Sequence, residues 1–139
     1  MVYDDGADSN WSLWDCCGGA VYAEVAEDGR GTVAQFTFNS TPTVAGAKAL
    51  TAHDASALTN GTLEFDLKVV SQPTDTSGDW LLKVEGISDQ VFAEMTLSES
   101  NEGVAPVTGE WQHYTFDLSA LEADGLSLSA VNIIMVFPT

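Results

Sequence analysis

Positive charge is scarce in this chain of 139 residues: 4 Lys plus Arg stand against 21 Asp plus Glu, a formal net charge of −17. The four cations, Arg30, Lys48, Lys68 and Lys83, all precede residue 84, and the remainder of the chain carries acids alone. Nucleic acids and anionic membranes are excluded as partners, because no cationic surface is present to displace their counterions. Cysteine is scarcer still, at two residues. Cys16 and Cys17 are adjacent, which removes both the long loop-closing staple and the C-x-x-C metal or redox site. A vicinal disulfide that stiffens a turn and a pair of separate thiols both stay open. A nucleophilic thiol is disfavoured, since Asp15 and Gly18 are the flanking residues and neither lowers a thiol pKa. Histidine is limited to His53 and His113, and no G-x-S-x-G, H-E-x-x-H or phosphate-binding loop occurs. Hydrolytic, zinc and nucleotide chemistry therefore lack their usual residues. Carboxylates are so numerous that a glycosidase pair cannot be singled out, and the chain reads as non-catalytic. Long apolar runs are missing too: nothing approaches the roughly 18 residues of a membrane-spanning helix. The opening MVYDDGADSN places acids where a signal peptide needs cations. The chain reads as one domain, residues 1–139, excised from a longer protein.

What is present is short alternation. Hydrophobic residues make up 45% of the chain, enough for a core, and no segment sustains a helical period long enough to compete with a period of two. Candidate strands are residues 1–4, 20–25, 32–38, 61–70, 80–84, 90–97, 112–118 and 131–137. Turn signals lie at Asp28-Gly29, Asn60-Gly61, Ser77-Gly78-Asp79 and Ala123-Asp124-Gly125. Eight strands at this spacing predict an all-β fold, a two-sheet antiparallel β-sandwich, with a barrel as the alternative. Residues 43–58, rich in alanine, could instead hold a short helix, and residues 119–123 one helical turn.

Alternation also sorts the faces. In GTLEFDLKVV, Leu63, Phe65, Leu67 and Val69 share one face, and Glu64, Asp66 and Lys68 the other. In WQHYTFDL, Tyr114, Phe116 and Leu118 oppose His113, Thr115 and Asp117. VNIIMVFP is apolar on both faces, as a central strand or a strand facing a groove would be. Trp80 shares a face with Leu82 and Val84 and reads as core, leaving Lys83 and Glu85 outside. Trp111 reads as packing under the edge of the core.

The four Trp are the most informative residues. Trp11 and Trp14 lie in a segment that reads as loop, and an indole suits stacking on the C–H face of a sugar. The alternative is that they cap the open end of the sandwich. Glu64, Asp66, Lys68, Lys83 and His113 could orient sugar hydroxyls from the outer face, or simply pair across strands. Asp4, Asp5 and Asp28 sit in acidic turns that could supply oxygen ligands to a structural Ca²⁺, although an EF-hand spacing is absent.

Five segments carry a resemblance: VYDDG, WSLWDCCGG (residues 11–19), GTLEFDLKVV, GEWQHYTFDLSAL and LSAVNIIMVFP. Together they resemble the galactose-binding-like β-jelly-roll domain at the C-terminus of ExoP-type exo-β-glucanases of glycoside hydrolase family 3. They are similar, more loosely, to non-catalytic carbohydrate-binding modules of marine polysaccharide-degrading enzymes. Such modules commonly add a strand ending in an Asp-Asn pair after the position of Phe137, whereas this chain reads Pro138-Thr139 there. The resemblance implies an accessory module of a secreted or periplasmic glycoside hydrolase, with a laminarin-like β-1,3- or mixed-linked β-glucan as ligand. It implies, as the competing role, a domain that packs on its parent catalytic domain through the WSLWDCCGG segment without binding sugar.

Overall fold

The computed structural model describes residues 1–73 and 78–139, so Ser77 of the third turn signal lies outside the described residues. Among the described residues nine strands form in chain order: β1 (Trp11–Trp14), β2 (Ala20–Glu27), β3 (Gly31–Phe38), β4 (Ala45–His53), β5 (Thr62–Lys68), β6 (Trp80–Glu85), β7 (Phe92–Thr96), β8 (Trp111–Asp117) and β9 (Val131–Pro138), with one α-helix, α1 (Leu118–Asp124). β1, β4, β9, β6 and β7 make a five-stranded antiparallel sheet in that order; β2 pairs with β3, and β5 with β8. The all-β sandwich expected from alternation is the fold observed.

Period-two patterning explains how the layers meet. Leu82 and Val84 of β6 and Ala93 of β7 face inward from the large sheet, and Phe65, Tyr114 and Phe116 face them from β5–β8. Leu118 and Leu121 of α1 close the same core. Phe65 stacks on Tyr114 and Phe116 with ring centres 5.6 and 6.3 Å apart, so aromatic packing ties β5 to β8 through the core as well as through the ladder. α1 stops at Gly125, whose N–H reaches Leu121 and Glu122 and whose φ of 129° favours glycine.

β9 is central, between β4 and β6, and apolar on both faces as its sequence implies. Its second face, Ile133 and Met135, packs with Val44, Trp14 and Phe137 in a smaller apolar cluster.

Three expectations are corrected. Residues 1–4 form no strand, only a bridge between Tyr3 and Ala7. The alanine-rich stretch is not helical: it supplies β4, a strand held between β1 and β9, followed by a 3₁₀ turn at Ser56–Leu58. The segment read as a tryptophan-bearing loop is strand β1.

The β2–β3 hairpin turns at Gly29, where φ is 76°, and joins β5–β8 by side chains. Arg30 Nη1 meets Asp66 Oδ2 at 2.6 Å and Lys68 Nζ meets Glu27 Oε1 at 3.6 Å. Among the described residues no ladder joins β3 to β5.

Candidate binding cleft

An open cleft of about 1290 Å³ borders on the hairpin, on β5–β8 and on the large sheet. β3 contributes residues 33–38, β5 contributes Leu67 and Lys68, and β8 contributes Trp111. The large sheet contributes Trp14, Trp80, Lys83, Glu85, Met135 and Phe137. The volume exceeds the roughly 300–1,000 Å³ of a small-molecule site, and the opening suits an extended ligand.

The two residues of the Trp11-Ser-Leu-Trp14 segment separate. Because β1 is a strand, Trp11 and Trp14 point to opposite faces. Trp11 is 7% exposed and belongs to the main core, which corrects its reading as a stacking residue. Trp14 is half-buried, packs with the second apolar cluster and lines the cleft. Trp111 is corrected the other way. It lies on the outer face of β8 opposite Lys68 in register, and it lines the cleft. Trp80 is core as expected, with its Nε1–H donated to Gln72 at 2.9 Å, and one edge of it reaches the cleft.

The polar set divides between two sheets. Lys68 and Lys83 line the cleft. Glu64, Asp66 and His113 stand together on the exposed face of β5–β8 and do not line it. His113 Nδ1 lies 2.7 Å from Asp66 Oδ1 and Nε2 lies 3.7 Å from Glu64. The hydrogen bond with Asp66 raises the His113 pKa against an opposing effect of desolvation. Desolvation works to raise Asp66, but bonds from Arg30 and His113 outweigh it and lower the carboxyl.

Each cation sits beside an aromatic ring or an acid. Arg30 lies 4.1 Å from the Trp111 centroid, Lys83 lies 4.5 Å from that of Phe92, and Lys48 lies 5.9 Å from that of Trp14. Lys83 also pairs with Glu85 at 3.0 Å. Lys68 and Lys83 line the cleft, paired with Glu27 and Glu85, while Arg30 and Lys48 sit against Trp111 and Trp14, two rings that line it. This grouping joins residues from four separate strands and turns, so no local pattern in the sequence signals it.

Asp4, Asp5 and Asp28 are not gathered into one side-chain cluster. Ca²⁺ needs roughly six to eight oxygens, and among the described residues no group of three or more His, Cys, Asp or Glu side chains converges. Asp5 accepts the N–H of Thr32 at 2.5 Å, a backbone bond that lowers its pKa. Its job is to hold the hairpin: a side chain at Gly31, where φ is 70°, would meet Asp5 Oδ1 at 2.6 Å.

The segment after Trp14 is built tightly. Cys16 and Cys17 are joined in a vicinal disulfide, which settles the choice left open by the sequence. Asp15 accepts from Thr43 Oγ1 at 2.8 Å, Val44 N at 3.0 Å and Ala20 N at 3.2 Å. Desolvation would raise this carboxyl, but the bonds from Val44, Thr43, Ala20 and Cys17 hold it at about 2.

No protein-family profile matches the chain, and no curated protein matches it. Solved structures do. The family 30 carbohydrate-binding module of the cellulosomal cellulase Cel9D-Cel44B of Clostridium thermocellum superposes with a TM-score of 0.64 at 20% identity, over 99% of this chain and 86% of that one. A second family 30 module gives 0.65 at 16% identity over 99% and 80%, and a third 0.51 at 16% over 97% and 86%. What is shared is the fold. The likeness runs to family 30 modules, where the sequence motifs resemble the ExoP-type domain instead.

Proposed function

We propose that this domain is a non-catalytic carbohydrate-binding module of a secreted or periplasmic polysaccharide-degrading enzyme, taking a neutral β-glucan along the cleft. The observation that carries the reading is the pair Trp14 and Trp111, both lining one open cleft whose cations are matched by acids. Indole faces suit the C–H faces of pyranoses, and paired Lys and Glu groups offer donors and acceptors to hydroxyls without presenting net positive charge. A chain of charge −17 repels polyanionic glycans, which favours a neutral polymer. The family 30 modules support the reading through their fold, and one of them belongs to a cellulase. The motif resemblance to exo-β-glucanase domains supports a laminarin-like β-1,3- or mixed-linked β-glucan.

Affinity electrophoresis in gels containing laminarin, barley β-glucan, agarose or alginate tests this. Retardation by the first two and none by alginate is expected, and Trp14→Ala should abolish it while the protein stays folded. Migration unchanged in all four gels overturns the proposal.

A second reading, an accessory domain docked on its parent hydrolase, is favoured by β2. This edge strand leaves Val21 65% and Tyr22 43% exposed, one on each of its faces, apolar side chains that a protein neighbour docked along the edge would cover. Loss of parent-enzyme stability on deleting the module, with no glycan bound by the module alone, would distinguish it.

A further inference from the structure

The Cys16–Cys17 disulfide has no evident structural task. It links sequence neighbours with Cα atoms 3.7 Å apart, so it closes no loop whose entropy could stabilise the fold. Nor is it packing material. Cysteine is among the most often buried residue types, yet both of these residues are exposed, and Cys16, two residues after Trp14, lines the cleft.

The surroundings hold this exposed group still. Asp15 ties the segment to the start of β2 and to the entry of β4 through three hydrogen bonds. On the other side, Gly19 is pressed so closely to the neighbouring backbone that a Cβ would stand 2.6 Å from Ser40 O. A short, double-anchored turn presenting a disulfide at the mouth of a cleft is what a rigid apolar contact requires. A disulfide has no hydrogen-bond donor, and its sulfurs are polarizable and soft, so it suits a C–H surface better than it suits hydroxyls.

We propose that the Cys16–Cys17 disulfide is a sugar subsite, contacting the C–H face of a pyranose adjacent to the one stacked on Trp14. This deepens the carbohydrate-binding reading and rests on it. Trp14 and the disulfide then act as two plates, one aromatic and one of sulfur, in the one cleft that Trp14 and Cys16 both line.

Calorimetric titration of the full chain with laminarihexaose and cellohexaose tests it, using wild type, Cys16→Ser/Cys17→Ser, wild type reduced with a phosphine, and Trp14→Ala. For the hexaose that wild type binds, loss of the disulfide should weaken affinity by about three- to ten-fold, the size of one soft contact, with Trp14→Ala losing binding altogether. Equal affinity of wild type and the double Ser variant, with Trp14→Ala still losing binding, overturns the subsite and leaves the carbohydrate-binding reading intact. Wild type that binds neither hexaose overturns both. Should the double variant not fold, carbon NMR of Cys-labelled wild type replaces it. Movement of the Cys16 and Cys17 Cβ resonances on saturation supports the subsite, and their standing still while the Trp14 indole moves overturns it.

Discussion

Arg30 lies 4.1 Å from the ring centre of Trp111, and the same guanidinium sends Nη1 to Asp66 at 2.6 Å. One side chain at the hairpin tip thus engages both strands of the β5–β8 pair. The contact substitutes for the missing ladder between β3 and β5, and it covers one face of a tryptophan that borders the cleft.

Arg30→Ala should therefore loosen the hairpin without unfolding the domain. A cation–π contact and a partly exposed ion pair together contribute about 1 kcal/mol, which a urea midpoint resolves. Trp111 fluorescence should shift to the red as water reaches the uncovered ring. Arg30→Lys should recover part of the stability and less of the spectrum, because an ammonium lacks the planar fork that reaches ring and carboxylate together. An unchanged spectrum in Arg30→Ala would mean that the guanidinium does not cover the ring in solution.

His113 reports on the same cluster through pH. Its pKa is raised by Asp66, with smaller contributions from Glu64 and Glu102. A folded pKa above the unfolded value of about 6.5 means that the stabilisation is fully present below that pH and is lost as pH rises through the folded value. The imidazole resonances of His113 should titrate above the ordinary range, and Asp66→Asn should bring them down. A His113 titration unaltered by Asp66→Asn would refute the assignment.

Tyr114 places a hydroxyl where no described residue receives it. The residue is 0% exposed, and its OH finds no hydrogen-bond partner among the described residues. Burial, followed by the charges of Asp79 and Glu102, pushes the phenol up to about 12. An unsatisfied buried polar group costs about 1–3 kcal/mol, so Tyr114→Phe should leave the domain as stable or up to about 1 kcal/mol more stable. Tyr114→Ala, which also removes the ring stacked on Phe65, should cost about 3–5 kcal/mol. A Phe variant that loses more than about 1 kcal/mol in urea unfolding would show that the hydroxyl has a partner.

The strands that alternate were legible. LEFDLK and HYTFD carry their faces in their spelling, and β9 announces a central position by being apolar throughout. β1 and β4 were not. β4 is spelled AGAKALTAH, small residues with little preference for a strand, and its conformation is set by β1 and β9 pairing on either side. β1 has four residues, too few for alternation to stand out. β1 bears directly on the site, since its period of two sends Trp11 to the core and Trp14 to the other face. The position of Trp111 is not legible for a different reason: its cover, Arg30, lies 81 positions away in sequence, on the hairpin. Contacts of that range leave no local trace.

Asp15 explains why the Trp14 end of the cleft keeps its shape, and acid should expose the dependence. Its carboxyl sits at about 2 in the folded protein, because the bonds it accepts outweigh desolvation, against about 3.9 in an unfolded chain. A depressed folded pKa gives stabilisation that is present above about pH 4 and is lost as pH falls towards 2. Asp15→Asn keeps one acceptor oxygen but not the charge, so its thermal midpoint should fall below wild type at pH 6, with the gap closing between pH 4 and pH 2. Glycan retardation should weaken in the same variant, since the Asp15 bonds to Thr43, Val44 and Ala20 also position the neighbouring Trp14 and Cys16. A gap between wild type and Asp15→Asn that stays constant from pH 6 to pH 2 would show that the carboxylate's charge is not what anchors the turn.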